Sequence, residues 1–365
     1  MFAYLLLLIA VFIWVLSMAV YLIYKVQNCL QPVIKKKVLL WLISLLFIAL
    51  LVLLCQIDLV NVLIVYVHLF AFFLLAELVL FFIRKKTHKP SKPYISLLTG
   101  VVLTALYLSA GYYWAHHVVE TDYTLSTTKQ METENFRIAH ISDSHIGTTF
   151  DGETFTKYLE RIDETHPDIL VVTGDFVDDS TTYQDMSKSC LALGNLQTTY
   201  GVFFVYGNHD KGYSNYRDFD NAILRRELIK NHVTILEDSI VQISDNMVIV
   251  GRQDAQVSDR KSATDLTKDI DKNKYIILLD HQPNDFTNEA AAKADLVLCG
   301  HTHGGQLIPL GQLGLLLKEN DFVYGKKTID SSTFIVSSGI SDWAIQFKTG
   351  CQSEYGIIDI KPASK

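Results

Sequence analysis

The chain has 365 residues, 49% of them hydrophobic and 19% charged, and a formal net charge of −7, which is length enough for two domains that each bury a core. The charge is unevenly shared: up to residue 116, nine Lys and Arg face only Asp58 and Glu77, about +7, which leaves the remainder at about −14. An acidic second part without a basic cluster argues against nucleic acid as a partner, and five cysteines without C-x-x-C spacing argue against a disulfide framework or a zinc knuckle.

Four apolar runs come first, roughly Ala3 to Tyr24, Val38 to Cys55, Leu59 to Ile83 and Tyr94 to Ala115, each near the ~20 residues that a helix needs to cross a hydrocarbon core. The first has no preceding basic residues and no small-residue cleavage site, so it reads as a retained helix rather than a removed signal peptide. Basic residues sit in two connections only, Lys25 with Lys35-Lys36-Lys37 and Arg84-Lys85-Lys86 with Lys89 and Lys92, while the link around Gln56-Ile57-Asp58 has none. The positive-inside rule then puts both basic connections in the cytoplasm, and the N-terminus and everything after the fourth run outside it.

Within these runs His68 and Glu77 are polar at a costly depth. Glu77 lies about two turns from Arg84, and a hydrogen bond from His68 to a neighbouring helix weighs more than a relay role. Tyr112, Tyr113 and Trp114 look like an interfacial aromatic belt. The expected organisation is a four-helix transmembrane region over 1–115, a polar linker over 116–134, and a soluble domain over 135–365.

In the soluble part, short apolar runs alternate with helical stretches. Strands are predicted at Phe136 to Ile141, Asp168 to Thr173, Val202 to Tyr206, Thr234 to Leu236, Met247 to Gly251, Tyr275 to Leu279, Leu296 to Cys299 and Thr333 to Ser337. Helices are predicted at Thr154 to Thr165, Thr182 to Gln197, Arg217 to Asn231 and Asn288 to Lys293. This alternation implies an α/β domain, in which ligands gather beyond the carboxyl ends of the strands. The unusual polar residues sit there: Asp143 and His145, then Asp175, then Asn208, His209 and Asp210, then His281, then His301 and His303. Taken singly each group is weak, since Gly174-Asp175 and Gly207-Asn208 are ordinary turn signals. Their order and common placement carry the argument.

The set I-S-D-S-H, V-T-G-D-F-V-D, Y-G-N-H-D, L-D-H-Q-P and C-G-H-T-H-G-G-Q resembles the calcineurin-like metallophosphoesterase family, and more closely its membrane-associated subgroup with a G-H-T-H-G-G-Q motif. The resemblance covers about Phe136 to Ile358 and leaves the apolar runs outside it. It implies a four-layer α/β/β/α sandwich, here preceded by a bundle of four transmembrane helices. It also implies two divalent metal ions: Asp143, His145 and His303 on one, Asn208, His281 and His301 on the other, and Asp175 between them. Two cations ~3.5 to 4 Å apart would activate a water and clamp an in-line displacement at phosphorus, and mixed imidazole, carboxylate and amide ligands suit Mn, Fe, Zn or Co. His209 is implied to face the substrate as the catalytic residue, with Asp178 and Asp210 as groups that orient it or the ligands. For Asp178 a helix N-cap role is an equal alternative. Gly251-Arg252-Gln253-Asp254 and Ser338 to Trp343 depart from the family pattern and are expected to line the substrate side.

The expected activity is hydrolysis of a phosphodiester or phosphomonoester at the outer membrane surface, with a lipid phosphoester first among substrates and nucleotides or other soluble diesters next. The apolar stretch Gln306 to Leu310 with Leu313 to Leu317 could touch acyl chains, although core strands and a loop are the favoured reading. A different class of function, a membrane sensor or transport-associated protein whose outer domain binds a phosphorylated ligand without turnover, would be marked by a metal-free, inert domain.

Overall fold

The structure is a computed structural model that describes residues 2–55, 58–90, 92–212 and 216–363; Gln56 and Ile57 of the expected short link lie outside them. The chain separates into two compact units, Met1–Ala110 and Gly111–Lys365.

The four apolar runs form helices α1 (Phe2–Leu30), α2 (Lys37–Cys55), α3 (Leu59–Thr87) and α4 (Pro93–His116). Among the described residues two helices, Leu59–Thr87 and Tyr94–His116, are long and apolar enough to cross a membrane, while Val15–Leu30 and Lys37–Leu46 are apolar but shorter. The polar residues find partners inside this unit. Glu77 pairs with Lys25 of α1 and lies 3.8 Å from Arg84. His68 bonds through Nδ1 to the Ile64 carbonyl one turn back on its own helix, at 2.7 Å, and its ring packs 5.4 Å from Tyr107. Its hydrogen bond is therefore within α3 rather than to a neighbouring helix.

The second unit holds twelve strands among the described residues: β1 (Val119–Thr127), β2 (Phe136–Ile141), β3 (Ile169–Thr173), β4 (Gly201–Val205), β5 (Val233–Ile235), β6 (Ser239–Gln242), β7 (Met247–Gly251), β8 (Tyr275–Leu279), β9 (Leu296–Cys299), β10 (Gly325–Ile329), β11 (Ser332–Val336) and β12 (Glu354–Pro362). They form two six-stranded mixed sheets, ordered β1-β12-β2-β3-β4-β5 and β10-β11-β9-β8-β7-β6. The helices are α5 (Gly152–Asp163), α6 (Tyr183–Asn195), α7 (Asn208–Gly212), α8 (Asn221–Lys230), α9 (Ala263–Thr267), α10 (Phe286–Ala291) and α11 (Leu310–Leu317).

Period-2 alternation builds the layers. In β3, Ile169 and Val171 join the apolar cluster that also holds Ile249, Ile277 and Leu298 of the facing sheet. Leu170 and Val172 instead join Phe155, Leu159 and Leu193 of α5 and α6. On the far side, Val248 and Val250 pack with Leu266 of α9 and Phe286 of α10. The order is helices, sheet, sheet, helices. Strands buried on both faces must be apolar throughout, which is why these runs do not alternate in sequence.

Asp151, Thr182 and Asp220 accept the backbone N–H three residues on and set the starts of α5, α6 and α8. The N-cap of α6 is thus Thr182, and Asp178 is left for the site. Two sequence expectations change. Residues 119–127, expected within a linker, form β1, which pairs parallel with β12 over nine residues. Leu310–Leu317, for which core strands were favoured, is the helix α11.

Candidate metal centre

Strands β2, β3 and β4 run parallel in one sheet, as do β7, β8, β9 and β11 in the other, so their carboxyl ends deliver side chains to one rim. The chain turns sharply there. Asp143, His145, Asp175, His301 and His303 have φ of 54°, 36°, 51°, 70° and 48°, a left-handed backbone that costs non-glycine residues and persists where surrounding structure enforces it. Glycines allow the closest approaches: a methyl on Gly207 would overlap the Asp175 carboxylate, and one on Gly300 would overlap Ser142 Oγ and Asp143 Oδ2.

All seven residues implied as ligands meet at this rim. Asp143, His145 and His303 bring ligand atoms within 4.8 Å of one another, as do Asp175, His281 and His301. Asn208 Oδ1 lies 3.2 Å from His281 Nε2, which is also 3.2 Å from Asp175 Oδ2. The first group and Asp175 are joined through His145, whose Nε2 is 3.6 Å from Asp175 Oδ2.

Surrounding groups fix the imidazoles. His281 Nδ1 faces the Thr173 carbonyl at 2.8 Å, a contact that places its proton there and presents Nε2 to the centre. His145 Nδ1 lies 3.3 Å from Asp178 Oδ2. His303 Nδ1 lies 3.4 Å from Asp342 Oδ1 and 3.3 Å from the Ser341 carbonyl, with Nε2 turned to Asp143. Asp342 is itself held 3.2 Å from Lys348 Nζ, a fully buried ammonium that also donates to Ser338 O and Ser353 Oγ. The Asp143 carboxylate accepts the His301 N–H at 2.9 Å, which ties β2 to the β9 turn.

Burial by itself favours neutral groups, yet opposite charges outweigh it at most of these positions. Burial would raise the Asp143 and Asp175 carboxyls, but nearby imidazoles hold both below their usual range. Burial would lower His281 and His303; Asp175 and Asp143 draw His281 well above its ordinary value, and Asp143 and Asp342 raise His303. His301 is pushed down to about 4 by burial and the adjacent His281, so it is neutral near pH 7.

His209 sits beside the ligands, its N–H bonded to Asp175 Oδ1 at 2.8 Å, its Nδ1 3.1 Å from Asp178 Oδ1 and its ring 5.2 Å from Trp343. Burial would lower its pKa, but the Asp178 hydrogen bond and the charges of Asp175, Asp178 and Asp210 raise it. Asp178 therefore touches both His145 and His209. Asp210 does neither: its carboxylate accepts four backbone N–H groups, from Asp175, Phe176, Val177 and Gly207, at 2.8 to 3.1 Å. Burial and Asp175 push its pKa up, to about 7, against the pull of those amides.

Arg252 corrects another expectation. It is buried among Asp280, Asp285 and Glu289 at 2.9 to 3.2 Å, a structural ion cluster rather than a substrate-side residue. Asp254 approaches the centre indirectly, accepting from Gln282 Nε2 at 2.9 Å beside His281. Sequence reasoning flagged Asp342 only as part of a substrate-side segment, although its position after β11 obeys the strand-end rule. Lys348 carried no local signal.

His145 Nε2 is buried, faces Asp175 Oδ2 at 3.6 Å and makes no hydrogen bond within the protein. That orphaned nitrogen, and the buried imidazoles and carboxylates gathered around it, are a donor set that fits divalent ions of the borderline class.

Comparison with known proteins bears on the family. The model of the calcineurin-like phosphoesterases matches residues 136–305. An uncharacterized metallophosphoesterase of Aquifex aeolicus is 34% identical over 60% of this chain and 82% of its own length. One of Campylobacter jejuni is 29% identical over 62% of this chain and 60% of its own length, so the chain spans less than two thirds of that relative. A bovine transmembrane protein with a metallophosphoesterase domain is 27% identical over 60% of this chain and 52% of its own. A dimetal phosphatase from Danio rerio aligns with a TM-score of 0.38 at 11% identity, covering 61% of this chain and 91% of that one. With its ordered motifs carried on matching strand ends, the chain belongs to the calcineurin-like phosphoesterases, a family of phosphoric ester hydrolases.

Proposed function

We propose that the chain is a two-metal phosphoesterase that hydrolyses a phosphodiester or phosphomonoester. The observation that carries this reading is the convergence of Asp143, His145 and His303 with Asp175, His281 and His301, ligand atoms within 4.8 Å in each group, on one rim. In this reading the first group holds one ion, Asn208, His281 and His301 hold the other, and Asp175 is shared. The ions, when bound, supply an activated water and neutralise charge on the phosphoryl oxygens. The donor set suits Mn, Fe, Zn or Co.

The protein's own groups do the rest. Asp178 holds His209 by Nδ1 and His145 by Nδ1, so the proton moved to the leaving-group oxygen resides on His209 Nε2. The Asp178 hydrogen bond and the charges of Asp175 and Asp178 raise the His209 pKa against burial, which favours the protonated ring. Asp210 holds the backbone of 175–177 and Gly207 and so keeps Asp175 and Asn208 in register.

The four apolar helices are read as a membrane region over 1–115 that leaves the catalytic domain on the extracytoplasmic side. A lipid phosphoester is placed first among substrates because helices able to cross a membrane precede the domain. The test is metal analysis together with a Mn-dependent assay on bis(p-nitrophenyl) phosphate, using Asp175→Ala as the inactive control. Metal-dependent cleavage lost in Asp175→Ala supports the enzyme; a metal-free, inert protein that still binds phosphorylated ligands supports a sensor instead.

A further inference from the structure

A groove of about 310 Å³ opens beside the centre, and His301 and His303 form one end of it. Its other walls include Leu313 and Leu317 of α11, Val323, and Trp343 from the loop after β11. Leu313 and Leu317, spaced i and i+4, share one face of the helix. They remain 45% and 66% exposed, and Trp343 is 43% exposed. Soluble helices bury such a face, and an exposed apolar patch that runs into a polar site marks a binding groove.

The wall is fixed to the centre. Gly305 and Gly311 touch so closely that a methyl on either would meet the other's Cα at 2.7 Å. The Thr349 N–H bonds to Gln306 O at 2.8 Å, and the Ile308 N–H bonds to Thr349 Oγ1 at 3.0 Å. A single molecule can therefore place its phosphate at His301 and His303 and lay the rest of itself along α11.

The lining says what that remainder is. None of the described residues lining the groove is Lys or Arg, so a second phosphate finds no counter-charge, and Glu319 would repel it. Thr302 Oγ1 and Gln306 Nε2 donate to backbone carbonyls, Thr302 to Val323 O and Gln306 to Trp343 O and Ile345 O, which leaves Asn320 and Glu319 as the polar side chains along an otherwise apolar wall. We propose that the groove holds the hydrocarbon tail of a lipid phosphoester whose phosphate occupies the metal centre, an inference that rests on the phosphoesterase reading.

The test is calorimetric titration of the full chain, in nanodiscs with Mn²⁺, by methyl, butyl, hexyl and octyl phosphate. Affinity is expected to rise with chain length, with octyl phosphate at least about tenfold tighter than methyl phosphate. In Leu313→Ser/Leu317→Ser that ratio should fall toward one. In Leu316→Ser, whose side chain is outside the groove lining, it should persist. Partitioning into the bilayer is common to all three proteins and cancels. Equal affinity for methyl and octyl phosphate, or a ratio that survives the double substitution, overturns the groove assignment. If bis(p-nitrophenyl) phosphate is then still cleaved with Mn²⁺, the phosphoesterase reading stands without it; if no alkyl phosphate binds and nothing is cleaved, both fall.

Discussion

At the scale of single residues the proposed centre sorts groups placed to hold metal from groups placed to act beside it. His209 is bonded through its ring to Asp178 and meets the candidate ligands through its backbone N–H on Asp175 and an edge-on ring contact with His145 at 4.9 Å. His209→Ala should therefore keep its metal, read by elemental analysis, while kcat falls by ~10²- to 10⁴-fold; unchanged turnover would remove His209 from the reaction. Asp342 is placed to act on metal binding instead, because it sits behind His303 and is backed by buried Lys348. Asp342→Asn should weaken Mn²⁺ affinity by ~10- to 100-fold, seen in calorimetric titration, and an affinity equal to the parent's would make the contact merely structural. The same titration reports protons. Without metal, the neighbouring carboxylates make His281 and His303 hold a proton more tightly than a free imidazole, whereas His301, at about 4, holds one more weakly. A metal ion competes with protons for those imidazoles, so metal loading should release protons to buffer and affinity should weaken as pH falls. Heats independent of buffer ionisation enthalpy would contradict it.

At the scale of elements, the strands bearing ligands could be read from sequence because each is short, apolar on both faces and ends in a polar motif. β1 was hidden because it is an edge strand with one wet face: its burial alternates, and Tyr123 and Leu125 alone add to the core among many polar neighbours. The apolar run of α11 fits strand or helix equally by composition, and only contacts with the Gly305 turn distinguish them. Lys348 was invisible for a related reason, since its role depends on Ser338, Asp342 and Ser353 being folded around it. The β9 turn is the most demanding element, because Gly300 faces Ser142 and Asp143 with no room for a side chain. Gly300→Ala should push the Asp143 carboxylate from its place and lower metal content more than it lowers secondary structure. Parallel measurement by elemental analysis and circular dichroism tests this; full metal content in the variant would show that the turn can yield.

At the scale of the whole molecule, the proposed membrane reading ties the side on which the catalytic domain would work to its nearest basic segment. Arg84, Lys85 and Lys86 end α3, Lys89 and Lys92 follow, and α4 then leads to the catalytic unit. If only Leu59–Thr87 and Tyr94–His116 cross, a cytoplasmic 84–92 segment puts residue 117 onward outside. If α1 and α2 cross as well, the result is the same, because the last crossing alone decides it. Number of spans and sidedness are thus separable. A reporter active only outside the cytoplasm, fused after Lys365, should be active, and one active only inside should be silent. Replacing Arg84, Lys85, Lys86, Lys89 and Lys92 with Gln should blur this into a mixture, whereas neutralising Lys35, Lys36 and Lys37 should matter less for the C-terminal side. Activity of the cytoplasmic reporter in the parent chain would reverse the topology and remove outer-leaflet lipids from the substrates that the α11 groove can meet.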